Sequence, residues 1–209
     1  ETSQQTAVQL DPGKFIDPNI TAKGEQRAVV ALTHLKTLWF NTGSLCNIAC
    51  QNCYMDSTPT NDALVYLSAL EIERYLDEIR EEKLPVEEIA FTGGEPFMNK
   101  DLIQMMERSL ERGYKVLVLT NAMKPLHHRF EELLALKFRY GNELAIRVSV
   151  DHFTLEKHEA VRGEKTWEPM LKGLKWLAEN GFNLAIAGRT CWNESDEEAR
   201  HGYASLFQA

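Results

Sequence analysis

The sequence predicts an α/β protein whose strands form a parallel sheet. Three observations carry that expectation. Short apolar segments of strand length alternate with longer amphipathic ones at intervals of roughly 25 to 35 residues, the rhythm of βαβ units. Helix signals fall between them: Ser68 and Glu71 have the spacing of a capping box, and Gly113 and Asn180-Gly181 read as C-terminal stops. The residues that fit neither pattern, including three cysteines between positions 46 and 53, collect after strands rather than inside them.

In chain order, residues 1–33 read as an N-terminal extension, interrupted by Pro12, Gly13, Pro18 and Gly24, and residues 34–209 as the core domain. Residues 37–41 form the first expected strand. A helix follows from Ser68, with Leu70, Ile72, Tyr75, Leu76 and Ile79 as its apolar stripe. Further strands are expected at 86–91, 115–119, 144–150 and 182–187, and helices at 100–112, 125–140 and 167–179. A last helix starts near Asn193-Glu194. The chain stops soon after, so the core is expected to be truncated at its C-terminus.

Pattern alone does not separate an open doubly wound sheet from a full or partial (β/α) barrel. Either one places ligands at the C-terminal ends of the strands. The segments there are 43–53, 92–96, Thr120-Asn121, 149–151 and Gly188-Arg189.

The 209 residues are 44% hydrophobic and 26% charged, an ordinary globular balance. A net charge of −8 argues against a surface dominated by phosphate contacts, so no nucleic acid partner is expected. No apolar run reaches the roughly 18 residues of a membrane span, and residues 1–18 lack the basic and apolar regions of a signal peptide. Three clustered cysteines in such a chain point to metal rather than to disulfides, and to a reducing cytoplasm.

Cys46, Cys50 and Cys53 have the spacing CxxxCxxC. One side of a helix would carry that spacing, but Gly43, Ser44, Asn47 and Asn52 are weak helix formers, and a loop suits the segment better. A structural zinc site needs four ligands, and here a fourth would have to come from a distance. An electron-transfer cubane would also use four thiolates. Three thiolates on one loop hold three irons and leave one open, which is what a catalytic cluster needs. On spacing alone the iron–sulfur reading leads, with zinc and buried cysteine as alternatives. Cys191 reads as a buried thiol at a strand end, and Trp39, Trp167 and Trp176 as core. The acidic run 71–82, interleaved with Arg74 and Arg80, reads as a solvated helix face. His127-His128 have no expected ligand role.

With Thr92-Gly-Gly-Glu-Pro96 after the second strand, the cysteine spacing resembles the radical S-adenosylmethionine (radical SAM) superfamily. Val118-Leu-Thr-Asn121, Val148-Ser-Val-Asp151, and Glu156, His158 and Val161-Arg-Gly163 are similar to its branch of molybdenum-cofactor and peptide-maturase enzymes. The resemblance implies a TIM-like partial barrel of six βα units, of which five are visible. It implies a [4Fe–4S] cluster on Cys46, Cys50 and Cys53, and S-adenosylmethionine chelating the open iron through its amino and carboxylate groups. One electron then cleaves the cofactor to methionine and a 5′-deoxyadenosyl radical, which abstracts hydrogen from a peptide or small-molecule substrate.

The implied cofactor contacts are Asn52, Gly93, Gly94, Glu95 and Ser149. No catalytic side chain is assigned beyond the cluster. Many members of the family carry an aromatic residue at the position of Asn52, which leaves only its backbone for the adenine. Taken alone, the Gly93-Gly94 segment reads equally as a tight turn capped by Glu95, Ser149 as a satisfied strand end, and Asp151 with Arg162 as a charge pair framing a loop. The implied partners are a substrate and an electron donor such as flavodoxin or ferredoxin. The rival class is a non-catalytic iron–sulfur or zinc protein, an electron carrier or scaffold.

Overall fold

A computed structural model describes residues 16–208, so the first fifteen residues of the expected extension lie outside the described part. The chain divides into two units between His34 and Leu35. The first contains a tight antiparallel turn. Ile20 pairs with Gln26, Gly24 adopts φ +79°, and the Asp17 carboxylate accepts from the Asn19 and Ile20 amides.

The second unit carries five strands, β1 (Thr37–Asn41), β2 (Glu88–Thr92), β3 (Lys115–Thr120), β4 (Leu144–Ser149) and β5 (Asn183–Ala187). All neighbours pair in parallel, in the spatial order β1-β2-β3-β4-β5. In a doubly wound sheet the order reverses at a switch point. An order that follows the sequence sends every right-handed crossover to the same side, so the sheet curls toward a barrel. Among the described residues β5 does not pair with β1, and the barrel is open.

Alternation along the strands decides which residues face the helices. Phe40, Ile89, Phe91, Val116, Val118, Leu144, Ile146 and Val148 are buried on that face. Against them pack α1 (Ala69–Glu81), α2 (Leu102–Glu111), α4 (Phe130–Tyr140) and α6 (Trp167–Glu179), through Leu76, Met105, Leu133 and Leu174 among others. The short α3 (Lys124–His127) precedes α4, α5 (Leu155–Arg162) precedes α6, and α7 (Asp196–Gln208) ends the described chain.

Helix α1 begins at a capping box: the Glu71 amide donates to Ser68 Oγ at 3.3 Å, and the Ser68 amide donates to Glu71 Oε2 at 2.8 Å. Its acidic run is solvated and paired, Asp77 with Arg80 and Arg112, and Glu73 with Arg108.

Several expectations are corrected. Leu70 and Tyr75 are exposed by 62% and 47%, because the buried face of α1 runs through Ala69, Ile72, Leu76 and Ile79. Trp39 is exposed by 45%; it alternates onto the sheet face opposite the buried Phe40, away from the helices. Cys191 is exposed, since it lies in the loop beyond β5 rather than at the strand's end.

The single helix expected over 125–140 is two. The His127 ring reaches the carbonyls of Ala122 and Pro169, which fixes the first turn, and the Arg129 amide then donates to Leu126 O three residues back. The second strand starts at Glu88 rather than 86, because the Val86 amide is taken by a turn to Leu84 O. Helix α5 was not foreseen, although Gly163, at φ +98°, ends it.

Candidate functional site

The loop after β1 carries the three cysteines and contains no helical residue between 46 and 53. Its base is stitched to its own return path. Leu45 bridges Thr58, the Cys46 amide donates to Thr58 O, and Ser44 Oγ donates to Asn61 O and accepts from the Leu64 amide. Its tip is tied to α5 by the Gln51 amide donating to Val161 O at 2.8 Å. Asn52 and Asp56 take φ +56° and +51°, a region where short polar side chains cost least.

The turn after β2 is locked against the base of that loop. The Gly94 amide donates to Gly43 O at 2.8 Å and the Glu95 amide to Leu45 O at 3.0 Å. A Cβ on Gly94 would stand 2.1 Å from Leu45 O, and one on Gly93 would stand 2.7 Å from Gly43 O. No side chain fits there. The two glycines therefore let one loop's backbone lie against the other's.

Glu95 is buried. Its carboxylate accepts from the Phe97 amide and from Thr120 Oγ1 on one oxygen, and from the Asn121 amide at 2.8 Å on the other. It thereby fastens the end of β3 to the end of β2. Burial pushes its carboxyl up to about 7, against the pull of those three hydrogen bonds. Asn121 passes the connection on, donating to Asn47 Oδ1 at 2.9 Å with the same nitrogen 3.9 Å from Cys46 Sγ.

Cys46, Cys50 and Cys53 line one cleft together with Thr92, Gly93, Gly94, Thr120, Asn121 and Ser149, so four strand ends meet there. Asn52 and Glu95 belong to the same two loops but are not among its lining residues. All three cysteines are free thiols. Burial pushes Cys46 up to about 11 and raises Cys50, so binding a metal would displace their protons.

Among the described residues, no three His, Cys, Asp or Glu side chains are gathered as a single metal ion requires. A cubane asks for something else: each thiolate binds its own iron, so the three sulfurs stand apart around one cleft. Three free thiols around a cleft closed on one side by bare glycine backbone fit that group.

Two cations complete the cleft. Arg162 and Arg189 line it, and both are held by Asp151, at 2.9 and 3.3 Å. The expected Asp151–Arg162 pair is thus a triad, with Arg189 joining from beyond β5. Beside it, His152 accepts from the Thr154 amide on Nδ1 and meets Glu194 Oε1 with Nε2 at 3.1 Å. Arg189 and Ser57, which also lines the cleft, were not among the expected site residues. Arg189 sat at a strand end already marked, while Ser57 had no sequence signal.

The description "Radical SAM superfamily" belongs to a family model that matches residues 40–201, more than half of the chain. The chain belongs to the Radical SAM superfamily.

The superfamily's cofactors are a [4Fe–4S] cluster and S-adenosylmethionine. Relatives include the antilisterial bacteriocin subtilosin biosynthesis protein AlbA of Bacillus subtilis, 29% identical over 143 residues, 68% of this chain and 30% of AlbA. The GTP 3′,8-cyclase of Rhodococcus opacus is 36% identical over 111 residues, 52% of this chain and 31% of that enzyme. Both are relatives of the kind that the motif resemblance implied. Among solved structures, Streptococcus suis SuiB bound to S-adenosylmethionine superposes with a TM-score of 0.66 at 17% identity, over 83% of this chain and 38% of SuiB. Methylornithine synthase superposes with a TM-score of 0.61 at 14% identity, over 83% of this chain and 51% of that one. These likenesses establish the partial-barrel fold. The chain spans about a third of the length of the curated relatives it matches.

Proposed function

We propose that this chain is the catalytic core of a radical SAM enzyme, with Cys46, Cys50 and Cys53 as ligands to a [4Fe–4S] cluster whose fourth iron is left to S-adenosylmethionine. One observation supports this most: three thiols and the glycine-locked end of β2 face the same cleft. When bound, the cluster and S-adenosylmethionine supply a 5′-deoxyadenosyl radical able to take hydrogen from an unreactive carbon.

The chain's own residues bind and orient. Gly93 and Gly94 keep the cleft wall flat and free of side chains. Ser149, at the tip of β4, offers a hydroxyl to the cofactor's methionyl or ribose groups. Asn52 contributes through its backbone. Glu95 acts as a positioning residue, because its carboxylate is spent on holding Thr120 and Asn121 beside Cys46. Arg162 and Arg189 bring positive charge to the cleft, where a carboxylate-bearing cofactor must sit.

The substrate is a peptide or a small organic molecule, and a separate reduced protein delivers the electron. AlbA takes part in the biosynthesis of a bacteriocin, and SuiB is known bound to the precursor peptide SuiA. Those names support a peptide, and the GTP 3′,8-cyclase relative supports a small molecule. Among the described residues no helix is long and apolar enough to cross a membrane. Free thiols and an oxygen-sensitive cluster suit the reducing cytoplasm.

The test is anaerobic reconstitution of the complete protein followed by electron paramagnetic resonance of the reduced sample. About four irons and four sulfides per chain are expected, with a spectrum that changes on adding S-adenosylmethionine. A fully loaded cluster whose spectrum ignores S-adenosylmethionine, in a sample that releases no 5′-deoxyadenosine, contradicts the proposal.

A further inference from the structure

We infer that the basic groove behind the cysteine loop is the docking face for a small acidic flavin protein that delivers the electron; this rests on the function proposed above. The groove has a volume of about 770 Å³, and Asn47, Met98, Met123, Lys124, Lys165 and Pro169 are among its walls. Its charge opposes that of the chain. Lys124, His128, Arg129 and Lys165 line it and no acidic side chain does, in a chain of net charge −8. Arg129 is paired with Glu132 at 2.5 Å, but neither Lys124 nor Lys165 is engaged in an ion pair among the described residues.

Lys165 also sits at φ +64°, a left-handed conformation that a lysine rarely adopts. Strain of that kind persists where the surroundings impose it, often beside a functional surface. The floor is apolar and adaptable, with Phe97, Met98 and Met123. A positive, partly apolar face suits an acidic partner and repels the same face of a second copy of this chain.

Position separates an electron donor from a substrate. The groove and the cysteine cleft share no lining residue. One thin wall stands between them: Asn47, next in the chain to Cys46, lines the groove, and Asn121 joins it by a 2.9 Å hydrogen bond while approaching Cys46 Sγ at 3.9 Å. A substrate behind that wall cannot meet a radical formed in the cleft. An electron can cross it, since the path is one residue and one hydrogen bond long. In the step itself the reduced flavin loses one electron and the cluster gains it. No bond forms or breaks, and the oxidised donor leaves to be reduced elsewhere.

The test compares two reductants on the complete, reconstituted protein: reduced flavodoxin and dithionite. The double substitution Lys124→Glu with Lys165→Glu is expected to lower flavodoxin-driven 5′-deoxyadenosine formation by about tenfold at low salt, the size of a lost electrostatic steering effect. The parent's rate should fall as salt is added, the variant's should not, and Lys124→Arg with Lys165→Arg should behave as the parent. Dithionite-driven cleavage should be equal in all three. An unchanged flavodoxin rate overturns the inference, as does an equal loss with both reductants. If charge reversal instead abolishes substrate turnover under dithionite, the groove holds an acidic peptide substrate and the inference fails. A parent that cleaves no S-adenosylmethionine with dithionite sinks the functional proposal, and the docking face with it.

Discussion

From β1 to β3 the rim of the sheet is held by backbone contacts and hydrogen-bonded side chains without an ion pair, and from β4 to β5 by ion pairs. On the first side, amides of the turn after β2 donate directly to carbonyls of the cysteine loop, and the carboxylate that joins them, Glu95, is buried and accepts three hydrogen bonds. On the second, Asp151 draws in Arg162 and Arg189, and His152 and Lys157 converge on Glu194. On the function proposed above, the contrast follows from what each side would hold. Three thiolates bound to a cluster need fixed positions, which main-chain contacts give without rotamer freedom. On the function proposed above, the arginines of the second side would offset the charge of a carboxylate-bearing cofactor.

The contrast can be broken first at Gly94. Gly94→Ala drives a methyl into Leu45 O, a backbone atom that moves only if the cysteine loop moves. The expected cost is about 3 kcal/mol or more in denaturant unfolding of the metal-free chain, together with loss of most reconstituted iron. A variant that holds iron normally would show that the lock between the loops is unimportant.

On the charged side, Asp151→Asn removes the shared partner of two arginines. We expect about 2 kcal/mol of lost stability, below the figure for a fully buried pair because Arg189 is one-third exposed. Iron content should stay near the parent's, while affinity for S-adenosylmethionine changes. Equal loss of iron in the two variants would erase the distinction between the sides.

An effect confined to acid pH comes from the same side of the molecule. His158 is fully buried against Trp167, neither ring nitrogen has a hydrogen-bond partner among the described residues, and burial lowers its pKa to about 4. Between that value and its ordinary one the folded chain binds fewer protons than the unfolded chain. Its contribution is therefore complete above about pH 6.5 and is lost as the pH falls toward 4. His158→Leu should flatten the acid side of the stability profile by on the order of 2 kcal/mol, measured by unfolding at pH 7 and pH 4.5. Parallel profiles for parent and variant would place the titrating group elsewhere.

Much of the backbone-built side was legible in the sequence. Cysteine spacing and paired glycines are local signals, although the glycine pair taken alone reads equally as a tight turn. The strands and α1 were legible for the same reason, since alternation and capping are read within a dozen residues. The charged side was less so. Arg189 meets Asp151 only because β5 lies beside β4, and the break before α4 depends on His127 reaching Pro169, which is distant in the chain. Trp39 was misplaced because alternation says that a strand has two faces but not which one the helices cover. Glu95 was legible as the cap of its turn, where it accepts from the Phe97 amide, but not in its reach to Thr120 and Asn121 at the end of β3.

The most direct measurement is pulsed electron-nuclear resonance on the reduced, reconstituted protein with S-adenosylmethionine carrying ¹⁵N at its methionyl amino group. The account expects a coupling between the cluster's electron spin and that nitrogen, in the range of a direct bond to iron. A loaded, reduced cluster showing no such coupling would mean that every iron is otherwise engaged, and would contradict it.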